Sequence, residues 1–429
     1  MIETTIRCIR TLAVAALVGV LTACPERTLL APATAPVVAA NQSAAPTNEP
    51  EAVPHGRLET INGYRMLTLD GTPAQMGRAA GELLGPTIRR VVKAMIADGI
   101  GRDPEAYDNI LTGSKIMETC QPEDYLEELK AMAEAAEVAY DDLLLLQYFG
   151  DVRRAITGPG HSALCTSFAV LPDLTKDNTC IVGRNFDYFD HGVGDYASLL
   201  VYYRPEGKIP FVTVTWAGII NGWTLMSREG IVVSNNTAFA GTNSLKGIST
   251  CFLLRYVVER ARSVKEGIDL VRRARRACGT NMLIASGTPP DAAIVEFDAN
   301  GMEVRRPVSN FVGADNSFRV LGQPKEEKTE PGEEMPEDCL CNMGRLGNAM
   351  FVINQHIGKV DLSTNLAGAD GVPIEGMNLH SVNIDATNLR MRLAMGSIPA
   401  CKLPYRAFRL TAKGLLSDEA PPLPGEAPE

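Results

Sequence analysis

The sequence predicts an α+β fold in which helices and strands come in blocks. Helical periodicity dominates residues 72–156, and short β-branched or aromatic runs dominate residues 165–234. A long helical stretch and further strands fill the rest of the body. This order favours a layered α+β sandwich, because a doubly wound sheet needs strict alternation of strand and helix. The 429 residues, 45% of them hydrophobic, provide enough apolar side chains for a large core.

The first 24 residues have the features of an export signal. Arg7 and Arg10 precede an apolar run, residues 11–21, which is too short to span a bilayer comfortably. The run ends in Leu21-Thr22-Ala23-Cys24, which resembles a bacterial lipobox. The resemblance implies that Cys24 carries a lipid anchor and that the protein is attached to a membrane of the bacterial cell envelope, facing the periplasm or the exterior. The alternative is a plain secretory signal in which Cys24 is incidental.

The segment that follows the signal predicts a spacer rather than a domain. Residues 25–56 are rich in Ala, Pro, Thr, Asn and Ser and lack apolar periodicity, which is typical of a disordered tether. We expect a mostly helical part over residues 57–164 and a second part over residues 165–429. The net charge of −10, without a basic stripe, argues against a nucleic-acid partner. No Cys or His cluster has metal-ligand spacing, so neither a metal nor a cofactor is predicted.

The helical part is expected to open with a strand at residues 64–69 and a helix at residues 72–96. Thr72 is placed at the N-cap of this helix and Pro73 in its first turn. Further helices are predicted at residues 103–118, 122–139 and 141–156. In the second of these, Tyr125, Leu129 and Met132 fall on one face.

Gly158-Pro159-Gly160 ends the helical part, and strands follow. The expected elements are strands at 165–171, 179–187, 197–203, 211–216 and 230–234, one long helix at 249–278, strands at 282–286, 292–297 and 302–306, a helix at 343–357 and closing strands within 379–395. Asn300-Gly301 marks a hairpin turn. The acidic, proline-containing residues 324–337 predict an exposed loop.

The chemistry is expected at Cys165, which opens an apolar strand. The motif Gly183-Arg184-Asn185-Phe186-Asp187 ends the next strand, so antiparallel pairing of the two strands would bring Arg184 and Asp187 beside the thiol. A neighbouring cation lowers the pKa of a thiol, and a carboxylate can orient an amine. The alternatives are a buried core cysteine and an ion pair between Arg184 and Asp187 at the end of the strand.

These two motifs, Cys-Thr-Ser-Phe from Cys165 and Gly-Arg-Asn-Phe-Asp-Tyr from Gly183, resemble the N-terminal-nucleophile (Ntn) hydrolases, which include acid ceramidase, isopenicillin N acyltransferase and the bile salt hydrolase/penicillin V acylase group. The resemblance is in particular to the autoproteolytic acyltransferase/hydrolase family around isopenicillin N acyltransferase. Further similar segments are the helix at 71–81, the hairpin at 218–222 and 229–231, the residues 313–318 and the helix that holds Arg345. The sequence departs from the family pattern at Asp315, where Thr is usual, and at Cys341, where Ser is common.

The resemblance implies a four-layer α-β-β-α sandwich, the Ntn-hydrolase fold, and a precursor that cleaves itself between Leu164 and Cys165. Cleavage would free the α-amine of Cys165, whose ordinary pKa near 8 suits a general base for its own thiol. In the family pattern, Arg184 and Asp187 position the amine and the thiol.

The resemblance also implies that Asn316, together with Asn236, donates hydrogen bonds to the tetrahedral oxyanion. The alternative for Asn235 and Asn236 is a turn at the end of their strand. Arg345 is expected to pair with Asp187 or with a substrate carboxylate, or else to be a solvated helix arginine. Trp216 and Trp223 are expected in the core rather than in an acyl pocket.

The sequence therefore predicts an exported, self-cleaving lipoprotein that hydrolyses or transfers the acyl group of a linear amide, with a small-molecule or lipid-like N-acyl amide as substrate. One alternative is a conventional Cys–His hydrolase that pairs Cys165 with His191 or His380. The other is a non-enzymatic solute-binding lipoprotein in which Cys165 is structural.

Overall fold

The computed structural model describes residues 51–97, 104–157, 164–238, 241–322 and 340–419. The predicted export signal, the lipidation site Cys24, most of the tether and the loop at 324–337 lie outside these residues. Strand β1 (Glu51–Val53) and the first residue of strand β2 (Gly56–Ile61) fall within the segment predicted as a disordered tether. The prediction is wrong for these last residues, because β1 and β2 form an antiparallel hairpin with Val53 opposite Gly56.

The described residues before residue 164 form a hairpin, a third strand and four helices. Strand β3 (Tyr64–Gly71) is followed by the helices α1 (Pro73–Met95), α2 (Pro104–Glu118), α3 (Glu123–Ala136) and α4 (Tyr140–Thr157). Thr72 caps α1 as predicted: it accepts from the Gln75 N–H, and its own N–H donates to the Gln75 side chain. Helix α1 packs closely on α3, since a Cβ on Gly77 would lie 2.1 Å from the carbonyl oxygen of Glu128.

Two large sheets form the centre of the fold. The remaining elements are β4 (Thr166–Val170), β5 (Ile181–Asp187), α5 (Gly194–Ala197), β6 (Ser198–Pro205), β7 (Phe211–Trp216), β8 (Thr224–Ser227), β9 (Ile231–Thr237), α6 (Thr250–Val258), α7 (Val264–Arg273), β10 (Thr280–Gly287), β11 (Pro290–Phe297), β12 (Met302–Arg305), β13 (Phe311–Ala314), α8 (Leu340–Gln355), β14 (Asn378–Asp385), β15 (Arg390–Met395), β16 (Arg406–Thr411) and β17 (Gly414–Ser417). One sheet has ten strands in the order β1-β2-β3-β6-β7-β8-β9-β10-β11-β12, and the other has seven in the order β13-β4-β5-β14-β15-β16-β17. Neighbouring strands are antiparallel except β3 and β6.

The single long helix predicted at residues 249–278 is wrong. The chain forms α6, turns at residues 259–263, and resumes as α7. Ser263 has extended backbone angles, and its side chain accepts a hydrogen bond from the Glu266 N–H, so it acts as the N-cap of a new helix. A serine that satisfies the backbone in this way competes with a continuous helix. Strands β8 and β13, which the sequence analysis did not predict, flank the candidate site.

Three apolar cores separate four layers. Helices α1, α3, α4, α6 and α7 pack on the outer face of the ten-stranded sheet. The two sheets pack face to face through a second core, and α8 covers the outer face of the seven-stranded sheet through Leu346, Ala349 and Ile353. This is the predicted α-β-β-α sandwich, and it confirms the fold class. Within the described ranges, no helix has the length and apolar character needed to cross a bilayer.

Candidate active site

Cys165 lies directly before β4 and is buried, with 1% of its surface exposed. Strand β4 pairs with β5 in the predicted antiparallel manner, with Ser167 opposite Arg184. The Nη2 atom of Arg184 donates to Cys165 Sγ at 3.3 Å and to the carbonyl oxygen of Asn235 at 2.7 Å. Arg184 is itself fully buried, so the positive charge is fixed beside the sulfur. A guanidinium that donates to sulfur stabilises the thiolate form electrostatically.

Asp187 ends β5 and is also fully buried. Its carboxyl accepts from Asn378 Nδ2 at 2.7 Å and from the Ile374 N–H at 3.2 Å, and no ion pair joins it to Arg184 in the described part of the chain. Burial raises the pKa of this carboxyl to about 6, although the two hydrogen bonds and the charges of Arg345 and Arg184 oppose the rise. The carbonyl oxygen of Asp187 accepts from the Leu164 N–H at 2.9 Å, which holds the residue before Cys165 in place.

Arg345, on α8, binds the backbone on both sides of the Leu164–Cys165 bond. Its Nη1 atom donates to the carbonyl oxygen of Leu164 at 2.7 Å and to that of Cys165 at 2.9 Å. Its Nη2 atom donates to Asn316 Oδ1 at 3.0 Å. The expected direct pairing of Arg345 with Asp187 is therefore corrected: the guanidinium is occupied by these three oxygens. The predicted residues Cys165, Arg184 and Arg345 thus meet around one peptide bond.

The two asparagines predicted as oxyanion donors lie in different surroundings. Asn316 is 1% exposed, orients Arg345 and donates through Nδ2 to the carbonyl oxygen of Thr237 at 2.7 Å. Asn236 lies between the sheets, where Oδ1 accepts from Ser167 Oγ at 2.7 Å and Nδ2 donates to the carbonyl oxygen of Ala314 at 2.8 Å. Because its amide links strands of the two sheets, this placement does not support Asn236 as an oxyanion donor.

Asn235 faces the other way and lines a cavity together with Cys165. Its buried Oδ1 atom has no hydrogen-bond partner among the described residues. The sequence analysis treated Asn235 only as a turn residue. The alternation along β9 would have found it, since Ile231 and Val233 pack in the helix-side core and Val232 in the core between the sheets. Asn235 therefore shares the face of Ile231 and Val233, which places its side chain at the cavity, where the amides of Gln147 and Asn221 also lie.

The cavity beside Cys165 has a volume of about 110 Å³ and an aromatic wall. Trp216 and Trp223, expected in the core, line it together with Phe186. The ring centres of Phe186 and Trp223 are 4.4 Å apart, and those of the two tryptophans 5.2 Å apart. A polar part of the wall contains Asp151 and Arg154, whose Oδ1 and Nη2 atoms are 2.6 Å apart. Because α4 supplies that wall, chain segments from both sides of the Leu164–Cys165 bond build the site.

The structure does not favour His380 as a base for Cys165. Its Nε2 atom lies 2.8 Å from Thr224 Oγ1, and its ring stacks on Phe186. Burial, together with the charge of Arg184, lowers the pKa of His380 well below its ordinary value, so the ring is neutral. The ring of His191 packs against Phe149 and Tyr188.

Comparison with known proteins gives a family match that lies within the second part of the chain. The model of the acyl-coenzyme A:6-aminopenicillanic acid acyl-transferase family matches residues 174–335, a region that includes Arg184, Asp187 and Asn316 and begins after Cys165.

Individual relatives are distant. An uncharacterized protein of Archaeoglobus fulgidus is 25% identical over 286 residues, which cover 59% of this chain and 47% of that protein, so the chain spans about half the length of this relative. Protein dcd1A of Dictyostelium discoideum is 22% identical over 80% of this chain and 82% of that protein. Among solved structures, the Caenorhabditis elegans ortholog of N-acylethanolamine-hydrolyzing acid amidase aligns with a TM-score of 0.40 and 15% identity, over 52% of this chain and 93% of that chain. The family match agrees with the resemblance that the motifs predicted: over residues 174–335 the chain is similar to the acyl-coenzyme A:6-aminopenicillanic acid acyl-transferase family, and it has the four-layer α-β-β-α sandwich that the resemblance implied.

Proposed function

We propose that this chain is an enzyme that cleaves itself between Leu164 and Cys165 and then hydrolyses or transfers the acyl group of a linear amide through Cys165. The observation that carries the proposal is the pair of guanidinium groups at one peptide bond. Arg184 donates to the sulfur, and Arg345 donates to the carbonyl oxygen of Leu164. The first stabilises a nucleophile, and the second lies where negative charge would develop during attack on that carbonyl.

Self-cleavage would proceed as an N-to-S acyl shift. The sulfur of Cys165 attacks the carbonyl carbon of Leu164, and the oxygen takes up negative charge next to Arg345 Nη1. Collapse breaks the C–N bond, the departing nitrogen takes a proton, and a thioester joins Leu164 to the sulfur. Water then hydrolyses the thioester, leaving a carboxylate on Leu164 and a free thiol and α-amine on Cys165.

The mature residue combines a nucleophile with its own base. The α-amine of Cys165 has an ordinary pKa near 8, so at neutral pH a useful fraction is unprotonated and can accept the thiol proton. The sulfur attacks the substrate amide, the amine product leaves with that proton, and water or another amine removes the acyl group from the sulfur. We assign Asn235, which lines the cavity together with Cys165, as a donor through Nδ2 to the oxyanion of this second reaction.

The substrate class is a small-molecule or lipid-like N-acyl amide. The matching family is named for transfer of an acyl group from a coenzyme A thioester to an amine, so both water and an amine are candidate acceptors here. The aromatic wall formed by Phe186, Trp216 and Trp223 supports an apolar acyl group.

Export and lipidation are proposed from the sequence of the N-terminus. The apolar run and Leu21-Thr22-Ala23-Cys24 support lipidation of Cys24 and attachment to a membrane of the cell envelope. The full chain expressed in bacteria with tritiated palmitate should carry label and sediment with membranes, and a Cys24→Ser variant should lose both. If Cys24→Ser carried as much label as the unchanged chain, lipidation of Cys24 would be refuted.

The enzymatic proposal is tested by trapping the acyl-enzyme. The purified protein is mixed with the p-nitroanilide of hexanoic acid and quenched in acid, and the intact mass of the fragment that contains Cys165 is measured. We expect release of p-nitroaniline and a mass increase of one hexanoyl group. Both should be absent in Cys165→Ala. Turnover by Cys165→Ala at the original rate would overturn the assignment of the nucleophile.

A further inference from the structure

Two further cavities lie next to the cavity beside Cys165, along the contact between helices α1 and α4. The second cavity, of about 10 Å³, shares three lining residues with the first, Met95, Leu146 and Phe149. A third cavity, of about 540 Å³, shares Val92, Ile96 and Asp142 with the second. The three cavities therefore follow one another from the sulfur of Cys165 to the outer surface, where Lys93 and Ala97 are exposed.

The contact between α1 and α4 is built from one face of each helix. On α1 and the residue that follows it, Val92, Met95 and Ile96 are spaced by three and four residues. On α4, the lining residues Asp142, Leu145, Leu146 and Phe149 repeat with the same helical spacing. Side chains with this spacing share a face, so two stripes that are apolar except for Asp142 face each other across this contact, which we call the groove. Protein interiors are normally filled at contacts of this kind. The cavities at the two ends of the groove are separated by the constriction of about 10 Å³, so a ligand that occupies the groove must move the side chains of the constriction apart.

The inner cavity alone is small. A volume of about 110 Å³ is less than that of an engineered apolar cavity of about 150 Å³ that binds benzene, so it holds a short acyl chain or one ring. A longer chain must pass Met95 and Phe149 and enter the groove. At the outer end, Arg89, Lys93 and Glu137 replace the apolar lining, so the apolar path ends at the surface.

We propose that the groove between α1 and α4 holds the distal part of the substrate's acyl chain, so that the enzyme acts on amides of medium-length and long unbranched acyl groups. Met95 and Phe149 mark the junction between the inner cavity and the groove, and Val92 and Ile96 contact the chain beyond it. The amine portion of the substrate remains on the polar side, near Asp151 and Arg154. This inference rests on the proposed amide chemistry of Cys165.

The first test is a chain-length series. The p-nitroanilides of acetic, hexanoic, decanoic and dodecanoic acid are compared with the mature enzyme below their solubility limits. A fully buried methylene is expected to raise kcat/KM about fourfold, and about twofold for each of the four additional methylenes is enough for decanoyl to exceed hexanoyl by at least tenfold. A flat profile, or a fall beyond hexanoyl, would overturn the groove while leaving the proposed amidase function intact.

The second test blocks the groove with a matched pair of variants. Ile96→Phe places a ring between the second and third cavities, whereas Glu82→Phe places the same ring on an exposed position of α1 outside the groove. We expect Ile96→Phe to lower kcat/KM for decanoyl by at least tenfold and to change that for acetyl by less than twofold. Glu82→Phe should alter neither. An equal loss on all chain lengths in Ile96→Phe would contradict the proposal.

A binding measurement separates this inference from the proposed function. Titration of the mature enzyme with decanoate, which has no amide bond to cleave, followed by calorimetry, should show saturable binding that Ile96→Phe weakens by at least tenfold and that Glu82→Phe leaves unchanged. If the folded, mature enzyme cleaves no anilide yet binds decanoate in this way, the proposed chemistry fails and the groove stands. Absence of decanoate binding by both the folded, mature enzyme and its Glu82→Phe variant would refute the groove.

Discussion

The Nη1 atom of Arg345 lies 2.7 Å from the carbonyl oxygen of Leu164, the oxygen that would become negatively charged if Cys165 attacked the preceding peptide bond. The second nitrogen of the guanidinium is held by Asn316 Oδ1, so the donor is oriented before any charge develops. Donors fixed in advance are the ones that stabilise an oxyanion most effectively. The contact therefore supports a role for Arg345 in the proposed maturation step in particular.

Replacement of Arg345 should slow self-cleavage. We expect Arg345→Ala to lower the rate about 10²–10³-fold, the usual effect of removing one oxyanion donor. Asn316→Ala should have a smaller effect, because it removes only the group that orients the arginine. The measurement is the half-life of the full-length precursor after a pulse of synthesis in vitro. Arg306→Ala, which removes an arginine that is half exposed and paired with Asp291, serves as the control; maturation of Arg345→Ala at the unchanged rate would show that the contact is structural only.

Two neighbouring asparagines should separate catalysis from stability. Asn235→Ala is expected to lower kcat about 10²-fold with little change in the free energy of unfolding, because its amide faces the cavity. Asn236→Ala should instead lower the free energy of unfolding by about 1–3 kcal/mol, because it leaves Ser167 Oγ and the carbonyl oxygen of Ala314 without their partner.

The two asparagine variants are compared by urea denaturation and by kcat per correctly cleaved molecule. The opposite assignment, in which Asn236→Ala loses activity at full stability, would restore the role that the family pattern implied for Asn236.

Asp187 should make stability depend on pH. Its pKa is about 6 in the folded protein and 3.8 ordinarily, so the native state holds a proton between these values that the unfolded state has lost. The favourable contribution of this bound proton to the free energy of unfolding is therefore complete below pH 4 and disappears as the pH rises through 6. The difference corresponds to about 3 kcal/mol.

Asp187→Asn removes this titration, so the variant does not lose stability in this way between pH 4 and pH 7. The difference in the free energy of unfolding, variant minus unchanged protein, should therefore increase by about 3 kcal/mol over this range. Chemical denaturation at a series of pH values measures it in the Cys165→Ala background, where both proteins remain uncleaved. A difference that stays constant with pH would mean that Asp187 titrates in the folded state as it does in the unfolded chain.

A buried ion pair should hold the two products of cleavage together. Glu128, on α3, and Arg255, on α6, lie on opposite sides of the cleavage point, with Oε2 and Nη2 2.6 Å apart and both side chains at or below 1% exposure. Glu128→Ala leaves the buried guanidinium without this partner, at an expected cost of about 3–5 kcal/mol. Size-exclusion chromatography at micromolar concentration should then show separated fragments.

The control for the buried pair is Lys265→Ala, which breaks an ion pair with Asp269 in which the lysine is 86% exposed. Such surface pairs contribute at most about 1 kcal/mol. Co-elution of both fragments from Glu128→Ala, with an unchanged urea midpoint, would refute the role of the buried pair.

The sequence was most informative where local patterns determine structure. The cap at Thr72 and the strand at Phe211–Trp216 follow from capping chemistry and from residue type, and both are confirmed. The long helix at 249–278 was wrong because Ser263 starts a second helix after a short turn, which helical periodicity alone does not reveal.

The candidate site was predictable in its residue types but not in its contacts. The pairing of β4 with β5 places Arg184 beside Cys165, as local spacing implied. Arg345 is 181 positions from Leu164 along the chain, so only the packing of α8 on the seven-stranded sheet brings them together. Asn235 was missed because the family pattern drew attention to Asn236, whereas the alternation of β9 favours its neighbour.

The most direct test of self-cleavage before Cys165 is the intact mass and N-terminal sequence of the purified, active protein after denaturation. We expect two polypeptides, one ending at Leu164 and one beginning with Cys165, and a single uncut chain in Cys165→Ala. A protein that turns over N-acyl amides while its backbone remains continuous through Leu164 would contradict this expectation, because Cys165 would then have no free α-amine to act as its base.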